Sequence, residues 1–307
     1  MARNVPFLKG AFTPLVVPFH NGTIDFDRYA ELIEWQIARG THGLLVNATS
    51  GEPTTLTHNE KVRLIQTAVR TSAGRKPVAA GIPAESHAEA LSLLAGAEAV
   101  GADAIVSVTP YYLRPPQRGL VAFFCDLAQR TGLPFLIYHI PGRAAVSVAV
   151  ETFEAIAQRC PNFVGLKNTD DNLALVARLM DRLGPDFRIF GGLESTAFAM
   201  CALGGCGTMI TTSNVAPGEV ARLNDLWAAG KCFEAQQLAL QLEELMAAAF
   251  LDSGPIPIKC MMKVMGLIPT DEHRLPMMPA TPELEEQLGA IVDRYRLRKA
   301  AIEKGRV

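Results

Sequence analysis

The chain has 307 residues, of which 49% are hydrophobic and 20% are charged, and this balance predicts a globular protein with a large buried core. A formal net charge of −2, without a basic cluster that stands apart from acidic neighbours, argues against nucleic-acid binding. The N-terminus has no apolar stretch typical of a signal peptide, and the most apolar segment, 197–210, is interrupted by glycines and too short to cross a bilayer. We therefore expect a cytoplasmic protein that binds neither membranes nor nucleic acids.

Short apolar runs rich in β-branched residues alternate with amphipathic, helix-like stretches along most of the chain. The predicted strands are, in chain order, Phe12–Val17, Gly43–Asn47, Val78–Ala80, Ala104–Val108, Phe135–His139, Val164–Lys167, Arg188–Phe190 and Gly207–Thr211. The helical patterns between them include Asp27–Arg39, Asn59–Thr71, Ala88–Val100 and Val150–Arg159.

The spacing of these strands predicts the fold class. They recur at intervals of about 30 residues, the length of a βαβ unit. Eight near-equal units predict an α/β protein with a closed (β/α)8 TIM barrel over residues 1–230, in preference to an open doubly wound sheet. Helical patterns at Phe233–Phe250, Lys259–Met265 and Pro282–Lys304, without further strand patterns, predict a C-terminal helical region over residues 231–307.

Motifs for metals and organic cofactors are missing from the sequence. The six cysteines include no Cys-x-x-Cys pair, and the six histidines are not spaced as metal ligands. No Gly-x-Gly-x-x-Gly follows a strand, and the glycine-rich segment 203–207 precedes the eighth strand, where a tight turn is expected rather than a phosphate cradle. We therefore expect no metal and no cofactor.

Lys167 is the most informative residue of the sequence. Catalytic side chains of a (β/α)8 barrel lie where the strands end, and Lys167 ends the apolar sixth strand. A lysine at this point is either a structural ion-pair partner or an amine desolvated for attack on a carbonyl group. The residue by itself supports both interpretations equally, and the neighbouring strand ends favour the second.

Hydroxyl groups and a guanidinium group follow the neighbouring strands. Tyr138 lies near the end of the fifth strand, where a phenol can relay protons, although tyrosines are also common at barrel rims. Thr49 and Ser50 follow the second strand and suit a small carboxylate, although a plain turn explains them better when they are taken alone. Arg143, after the fifth strand, can grip a carboxylate with two hydrogen bonds, and a surface salt bridge is its alternative role.

Three further positions complete the predicted site. Gly192, after the seventh strand, and Met209, in the eighth, are predicted to contact the substrate. Tyr111 and Tyr112 lie between prolines in an aromatic loop after the fourth strand, which suits a lid over the site or an interface.

Six ordered segments, taken together, resemble the dihydrodipicolinate synthase and N-acetylneuraminate lyase superfamily from about Gly10 to Leu267. These segments are Ala11–Phe19, Thr49–Glu52, Thr109–Tyr112, Tyr138–Arg143, Val164–Lys167 and Ala202–Gly205.

The resemblance implies a class I lyase that joins pyruvate to an aldehyde, or cleaves the product, through a lysine Schiff base. Lys167 would form the imine and Tyr138 would shuttle protons. Thr49 and Ser50 would hold the pyruvate carboxylate. Tyr112 would reach into the site of a neighbouring subunit, within a homotetramer built as a dimer of dimers. No metal or organic cofactor is needed for this chemistry.

Arg143 favours the synthase branch, whose matching arginine grips the carboxylate of aspartate semialdehyde. Asn168, His139 and Ala48 stand where these synthases usually carry other residues, and we expect them to alter the wall of the pocket. These departures leave open a catabolic 2-oxo acid aldolase or hydratase-aldolase that uses another aldehyde or a sugar acid. A non-catalytic pyruvate-binding protein is a third alternative.

Feedback inhibition by lysine is predicted to be weak or absent. Pro53 and Glu85 stand where lysine-inhibited synthases tend to carry Ser and Asn.

Overall fold

A computed structural model describes residues 5–83 and 86–298. Its strands are β1 (Gly10–Pro14), β2 (Phe19–His20), β3 (Thr23–Ile24), β4 (Gly43–Val46), β5 (Val78–Ile82), β6 (Ala104–Val108), β7 (Phe135–His139), β8 (Phe163–Asn168), β9 (Arg188–Gly191) and β10 (Gly207–Thr208). Eight of them close into a parallel barrel in the order β1-β10-β9-β8-β7-β6-β5-β4, while β2 and β3 form a small antiparallel hairpin. The predicted (β/α)8 barrel is confirmed.

The helices of the described residues connect the strands and extend beyond the barrel. They are α1 (Phe26–Ala38), α2 (His58–Ser72), α3 (His87–Ala99), α4 (Gln117–Gln129), α5 (Pro141–Ala144), α6 (Val150–Arg159), α7 (Leu173–Leu183), α8 (Ala197–Ala202), α9 (Pro217–Ala228), α10 (Cys232–Ala248), α11 (Ile256–Val264) and α12 (Pro282–Arg294). The four helices predicted between the strands, α1, α2, α3 and α6, begin and end within one residue of their predicted bounds.

Several predicted boundaries are wrong: β1 ends at Pro14 rather than at Val17, and α11 begins at Ile256 rather than at Lys259. The eighth barrel strand, β10, ends at Thr208 rather than at Thr211. The amides of Thr211 and Thr212 donate to the carboxylate of Glu194 instead of continuing the ladder, and a 3₁₀ turn begins there. The last predicted helix is interrupted: α12 ends at Arg294, Arg296 has a left-handed φ of 54°, and helical backbone resumes at residues 297–298. The predicted helical residues 299–304 lie outside the described residues.

Side chains alternate between the two faces of the barrel wall, as the two-residue period of a strand requires. On β7, Leu136 and Tyr138 pack in the barrel interior, whereas Phe135 and Ile137 pack against the surrounding helices. On β8, Leu166 likewise packs outward, so its neighbour Lys167 points into the barrel mouth. This alternation decides which strand-end residues can reach a substrate.

The C-terminal helices pack directly on the barrel. Leu245 of α10, Met261 of α11 and Val292 of α12 share one apolar cluster with Ala11 of β1 and Trp35 of α1. The boundary near residue 230 falls between α9 and α10, and the division into two domains stays a prediction. No helix among the described residues has the length and apolar character needed to cross a membrane.

Candidate active site

Lys167 and Tyr138 lie side by side at the mouth of the barrel. They are register partners in the parallel pairing of β7 with β8. The Lys167 Nζ atom lies 4.1 Å from the centroid of the Tyr138 ring, and Lys167 is only 3% exposed. The neighbouring strands therefore bring the amine and the phenol together inside a pocket that largely excludes water.

The Tyr138 phenol contacts a hydroxyl group from a different strand end. Its Oη atom lies 3.2 Å from Thr49 Oγ1, and either atom can donate the hydrogen bond. Burial raises the pKa of Tyr138, but the positive charge of Lys167 and the hydrogen bond with Thr49 outweigh it, so the phenol's pKa lies below its ordinary value. A phenol with a lowered pKa is better suited to exchange protons near neutral pH.

Thr49 and Ser50 lie on one 3₁₀ turn, Thr49–Gly51. The Ser50 hydroxyl lies 3.0 Å from Thr211 Oγ1, at the end of the eighth barrel strand. Glu52 closes the turn in a left-handed conformation with φ 52°, and its amide donates to the Thr49 carbonyl. Both hydroxyls thus face the barrel mouth from a short and tightly closed segment.

Seven of the eight predicted site residues line one small cavity of about 70 Å³. They are Thr49, Ser50, Tyr138, Arg143, Lys167, Gly192 and Met209. Arg143 is exposed on α5 and donates from Nη2 to the Gly254 carbonyl at 3.4 Å. A Cβ at Gly192 would lie 2.8 Å from Lys167 Cε, so this position has room for no side chain.

Tyr112 lies apart from this cavity. It is 90% exposed, with a left-handed φ of 71°, and it is not among the cavity's lining residues. A second, larger cavity of about 270 Å³ adjoins the first and shares Thr49, Tyr138 and Arg143 with it. Tyr111, the neighbour of Tyr112, lines this larger cavity.

Glu194 and Thr169 also line the small cavity, and the sequence prediction missed both. Glu194 Oε1 accepts hydrogen bonds from the amides of Thr211 and Thr212, at 2.8 and 3.2 Å. Its Oε2 atom is buried without a hydrogen-bond partner among the described residues, whereas the buried Thr169 hydroxyl lies close enough to Tyr138 to help lower the pKa of the phenol. Burial raises the pKa of Glu194. Thr169 follows β8 by one position, and Glu194 follows β9 by three. Polar residues this close to a strand end could have been identified from the sequence.

His139 and Asn168 face away from the cavity. His139 Nε2 accepts from the Val148 amide at 3.2 Å, so Nδ1 carries the proton and donates to Asn168 Oδ1 at 2.8 Å. Neither residue lines either cavity, and the same holds for the buried Ala48. The expectation that these three residues alter the pocket wall is therefore wrong, because strand alternation turns His139 and Asn168 outward. Within residues 5–83 and 86–298, no cluster of His, Cys, Asp or Glu side chains could hold a metal ion.

A lysine amine beside a phenol, in the mouth of a (β/α)8 barrel, is the arrangement of a class I Schiff-base lyase. A sequence model of the Dihydrodipicolinate synthetase family matches residues 7–295, and the chain belongs to this family. The predicted enzyme class is thereby confirmed.

Named relatives and solved structures agree with this assignment. The chain is 42% identical to a 4-hydroxy-tetrahydrodipicolinate synthase of Rhodospirillum centenum, over 89% of this chain and 93% of the relative. It is 39% identical to that of Thermus thermophilus, over 94% and 97%. The dihydrodipicolinate synthase structure from Aquifex aeolicus has a TM-score of 0.92 and 35% identity, covering 94% of this chain and 99% of that one. A structure from Acinetobacter baumannii, complexed with pyruvate, has a TM-score of 0.89 and 31% identity, covering 96% and 99%.

Proposed function

We propose that this enzyme condenses pyruvate with aspartate semialdehyde, as a 4-hydroxy-tetrahydrodipicolinate synthase. The observation that carries the proposal is the buried Lys167 amine beside the Tyr138 phenol, which in turn contacts Thr49. The names of the relatives and the pyruvate bound to the Acinetobacter baumannii protein support the choice of substrates. The proposal includes a cytoplasmic location.

In the first half-reaction, the Lys167 amine adds to C2 of pyruvate, and the resulting carbinolamine loses water to form a protonated imine. The imine withdraws electrons from the methyl group, so a methyl proton leaves and an enamine forms. Tyr138 exchanges these protons with Thr49. The hydroxyls of Thr49 and Ser50, with the backbone amides of their turn, hold the pyruvate carboxylate.

In the second half-reaction, the enamine carbon attacks the aldehyde carbon, a new carbon–carbon bond forms, and the oxygen takes up a proton. The amino group of aspartate semialdehyde then attacks C2 of the resulting imine and displaces the Lys167 amine, which closes the ring and frees the enzyme. Arg143 lines both cavities and can hold the carboxylate of the aldehyde with two hydrogen bonds. Gly192 leaves the space beside Lys167 that the substrate needs, and Met209 supplies an apolar wall.

A second copy of the chain completes the site in this proposal. Tyr112 and Leu113 are exposed in the loop after β6, and the larger cavity opens beside Tyr111 and Thr49. We infer that Tyr112 of a partner enters the larger cavity and extends the hydrogen bonds of Thr49 and Tyr138. The dimer pairs in turn into a homotetramer.

Incubation with pyruvate and borohydride, followed by peptide mass spectrometry, tests the chemistry. We expect a reduced adduct on Lys167 and none on the Lys167→Met variant. An adduct on a different lysine, or a protein that remains unmodified, would refute the proposal. Full turnover in the presence of EDTA is expected, because no step uses a metal.

A second candidate is a lyase that acts on a hydroxylated aldehyde. The unpartnered Oε2 atom of Glu194 favours it, since an unpaired polar group at a cavity suits a substrate that carries hydroxyl groups. Comparison of kcat/KM for aspartate semialdehyde and for a panel of hydroxylated aldehydes decides between the candidates. We expect aspartate semialdehyde to give the highest value.

Lysine feedback is testable with the same assay. Pro53 lines the larger cavity, and Glu85 lies outside the described residues. We expect the rate with aspartate semialdehyde to stay unchanged in millimolar lysine, and a clear loss of rate would contradict the prediction.

A further inference from the structure

A buried ion pair joins the turn of Thr49 to the C-terminal helices. Lys259 Nζ of α11 lies 2.9 Å from Glu52 Oε1, and the two side chains are 0% and 1% exposed. The ring nitrogen Nδ1 of His273 lies 2.9 Å from the same oxygen. Burial raises the pKa of Glu52, but Lys259 and His273 outweigh it and hold the pKa below its ordinary value, so the carboxylate is charged.

The Glu52 side of this pair is coupled to the candidate active site through the backbone. Glu52 ends the 3₁₀ turn that carries Thr49, and its amide donates to the Thr49 carbonyl at 3.1 Å. The Glu52 carbonyl accepts from both the amide and the hydroxyl of Thr55, at 2.9 and 2.8 Å. Glu52 also has a left-handed φ of 52°, which non-glycine residues rarely adopt. A displacement of the Glu52 carboxylate would therefore move Thr49.

The Lys259 side is fixed independently of the barrel mouth. Lys259 also donates to the Glu272 carbonyl, and its Nζ lies 4.5 Å from the centroid of the Phe19 ring. Lys259 and its neighbours in α11, Cys260 and Met261, are fully buried. The ammonium group is thus held by α11 and by the segment that follows it.

We propose that Lys259 is a positioning residue for the reaction: through Glu52 it holds the Thr49 hydroxyl against the Tyr138 phenol. This inference rests on the proposed function, because it assigns Lys259 a role in that proton relay. A purely stabilising role is a weak explanation of a buried ion pair, since desolvation of two charges offsets most of their attraction. The C-terminal helices would then take part in catalysis through a residue that contacts no substrate.

A double-mutant cycle between Thr49→Val and Lys259→Met tests the inference. Thr49→Val removes the hydroxyl directly, and Lys259→Met releases the turn that carries it. We expect each single variant to lower kcat by about 10- to 100-fold, the effect of a misplacement near 1 Å. KM for pyruvate should change less than kcat in both. In the double variant, kcat should fall no further than in Thr49→Val, because both changes remove the same contact.

The pH profile supplies a readout that a stabilising role would not move. The positive charge of Lys167 lowers the pKa of Tyr138, and the hydrogen bond between Tyr138 and Thr49 lowers it further. Without the Thr49 contact the pKa of Tyr138 is lowered less. The change in kcat that accompanies titration of the phenol should therefore occur at higher pH. The shift should be the same in Thr49→Val and in Lys259→Met.

Lys263→Met is the matched control on the same helix. It removes ion pairs with Asp271 and Glu285, which lie outside the candidate site, and should leave kcat and the pH profile unchanged. If Lys259→Met does not fold, the neutral pair K259M/E52Q replaces it, because it leaves no single buried charge. Additive losses in the double variant, or an unshifted profile, would overturn the inference. A wild-type enzyme without the Lys167 adduct would instead refute the proposed function.

Discussion

Gly192 borders the Lys167 side chain so closely that a methyl group cannot fit beside it. An added Cβ would lie 2.8 Å from Lys167 Cε and even closer to Thr169 Oγ1. We expect Gly192→Ala to lower kcat/KM at least about 100-fold, since displacement of the amine disturbs the attack geometry. Steady-state kinetics with pyruvate measures this loss.

The matched control is Gly142→Ala, where an added Cβ has no neighbour within 4 Å in the described part of the chain. It should retain activity within about threefold, because surface changes of this kind have small effects. Equal losses in both variants would contradict the steric explanation.

Glu194 gives a prediction about stability and pH. Burial raises its pKa, so the folded state binds a proton more readily than the unfolded state, and stability falls as pH rises from the ordinary value of 4.5 through the folded pKa. In Glu194→Gln the amide oxygen can replace Oε1 and accept the same hydrogen bonds, without a charge. We expect the variant to gain stability relative to the wild type as pH rises, by at most about 1.4 kcal/mol per pH unit. Urea unfolding at pH 5 and pH 8 measures it.

Glu194→Ala separates the charge from the hydrogen bonds. It leaves the amides of Thr211 and Thr212 unpaired, so it should lose about 1–3 kcal/mol at both pH values. If the difference in unfolding free energy between Glu194→Gln and the wild type is the same at pH 5 and at pH 8, the charge of Glu194 does not contribute to the pH dependence.

Residue types at strand ends explain why part of the site was predictable. Lys167 and Tyr138 each lie in the last two residues of an apolar strand, so their convergence followed once the barrel was predicted. Glu194 and Thr169 follow strand ends within short loops, and only the folded loops bring them to the cavity. Lys259 could not be predicted at all, since its partner Glu52 is 207 residues away in the sequence.

At the scale of elements, the buried His139 on the outer face of β7, hydrogen-bonded to Asn168 of β8, predicts that the folded state loses stability at acidic pH. Burial lowers the pKa of His139 below its ordinary value of 6.5, although Asn168 opposes this. A protonated ring would also place Nε2–H against the Val148 amide, which now donates to it. Below pH 6.5 the unfolded state therefore binds a proton that the folded state resists, and stability is lost as pH falls from 6.5 to the folded pKa.

We expect His139→Asn to lose less stability than the wild type between pH 7.5 and pH 5, as measured by urea unfolding. Burial also lowers the pKa of His42, so part of the acid effect should remain in the variant. Glu60, whose pKa is lowered to about 2 by Arg274, loses its contribution only below pH 4.5 and does not interfere. Parallel curves for the wild type and the variant would rule out His139 as a source of the effect.

Strand and helix patterns were sufficient for the elements but not for every boundary. The apolar, β-branched runs predicted all eight barrel strands. The end of β10 was mispredicted because the Glu194 carboxylate, a distant side chain, takes the amides that would extend the strand. The hairpin of β2 and β3, with two residues in each strand, was too short to leave a periodic signal.

At the scale of the whole molecule, the position of Tyr112 predicts that active sites are shared between two copies of the chain. Tyr112 is 90% exposed and outside its own small cavity, so in a two-fold dimer each copy would complete the site of the other. Tyr112→Phe homodimers should therefore be weakly active, and Lys167→Met homodimers should be inactive because they lack the amine that forms the imine. A mixed dimer has one restored site, because the Lys167→Met copy donates its Tyr112 to the intact Lys167 of its partner. Co-expression in equal amounts should recover about a quarter of wild-type activity, since half of the dimers are mixed and each has one working site of two. A co-expressed sample that shows only the mean activity of the two homodimers would mean that Tyr112 does not act across the interface.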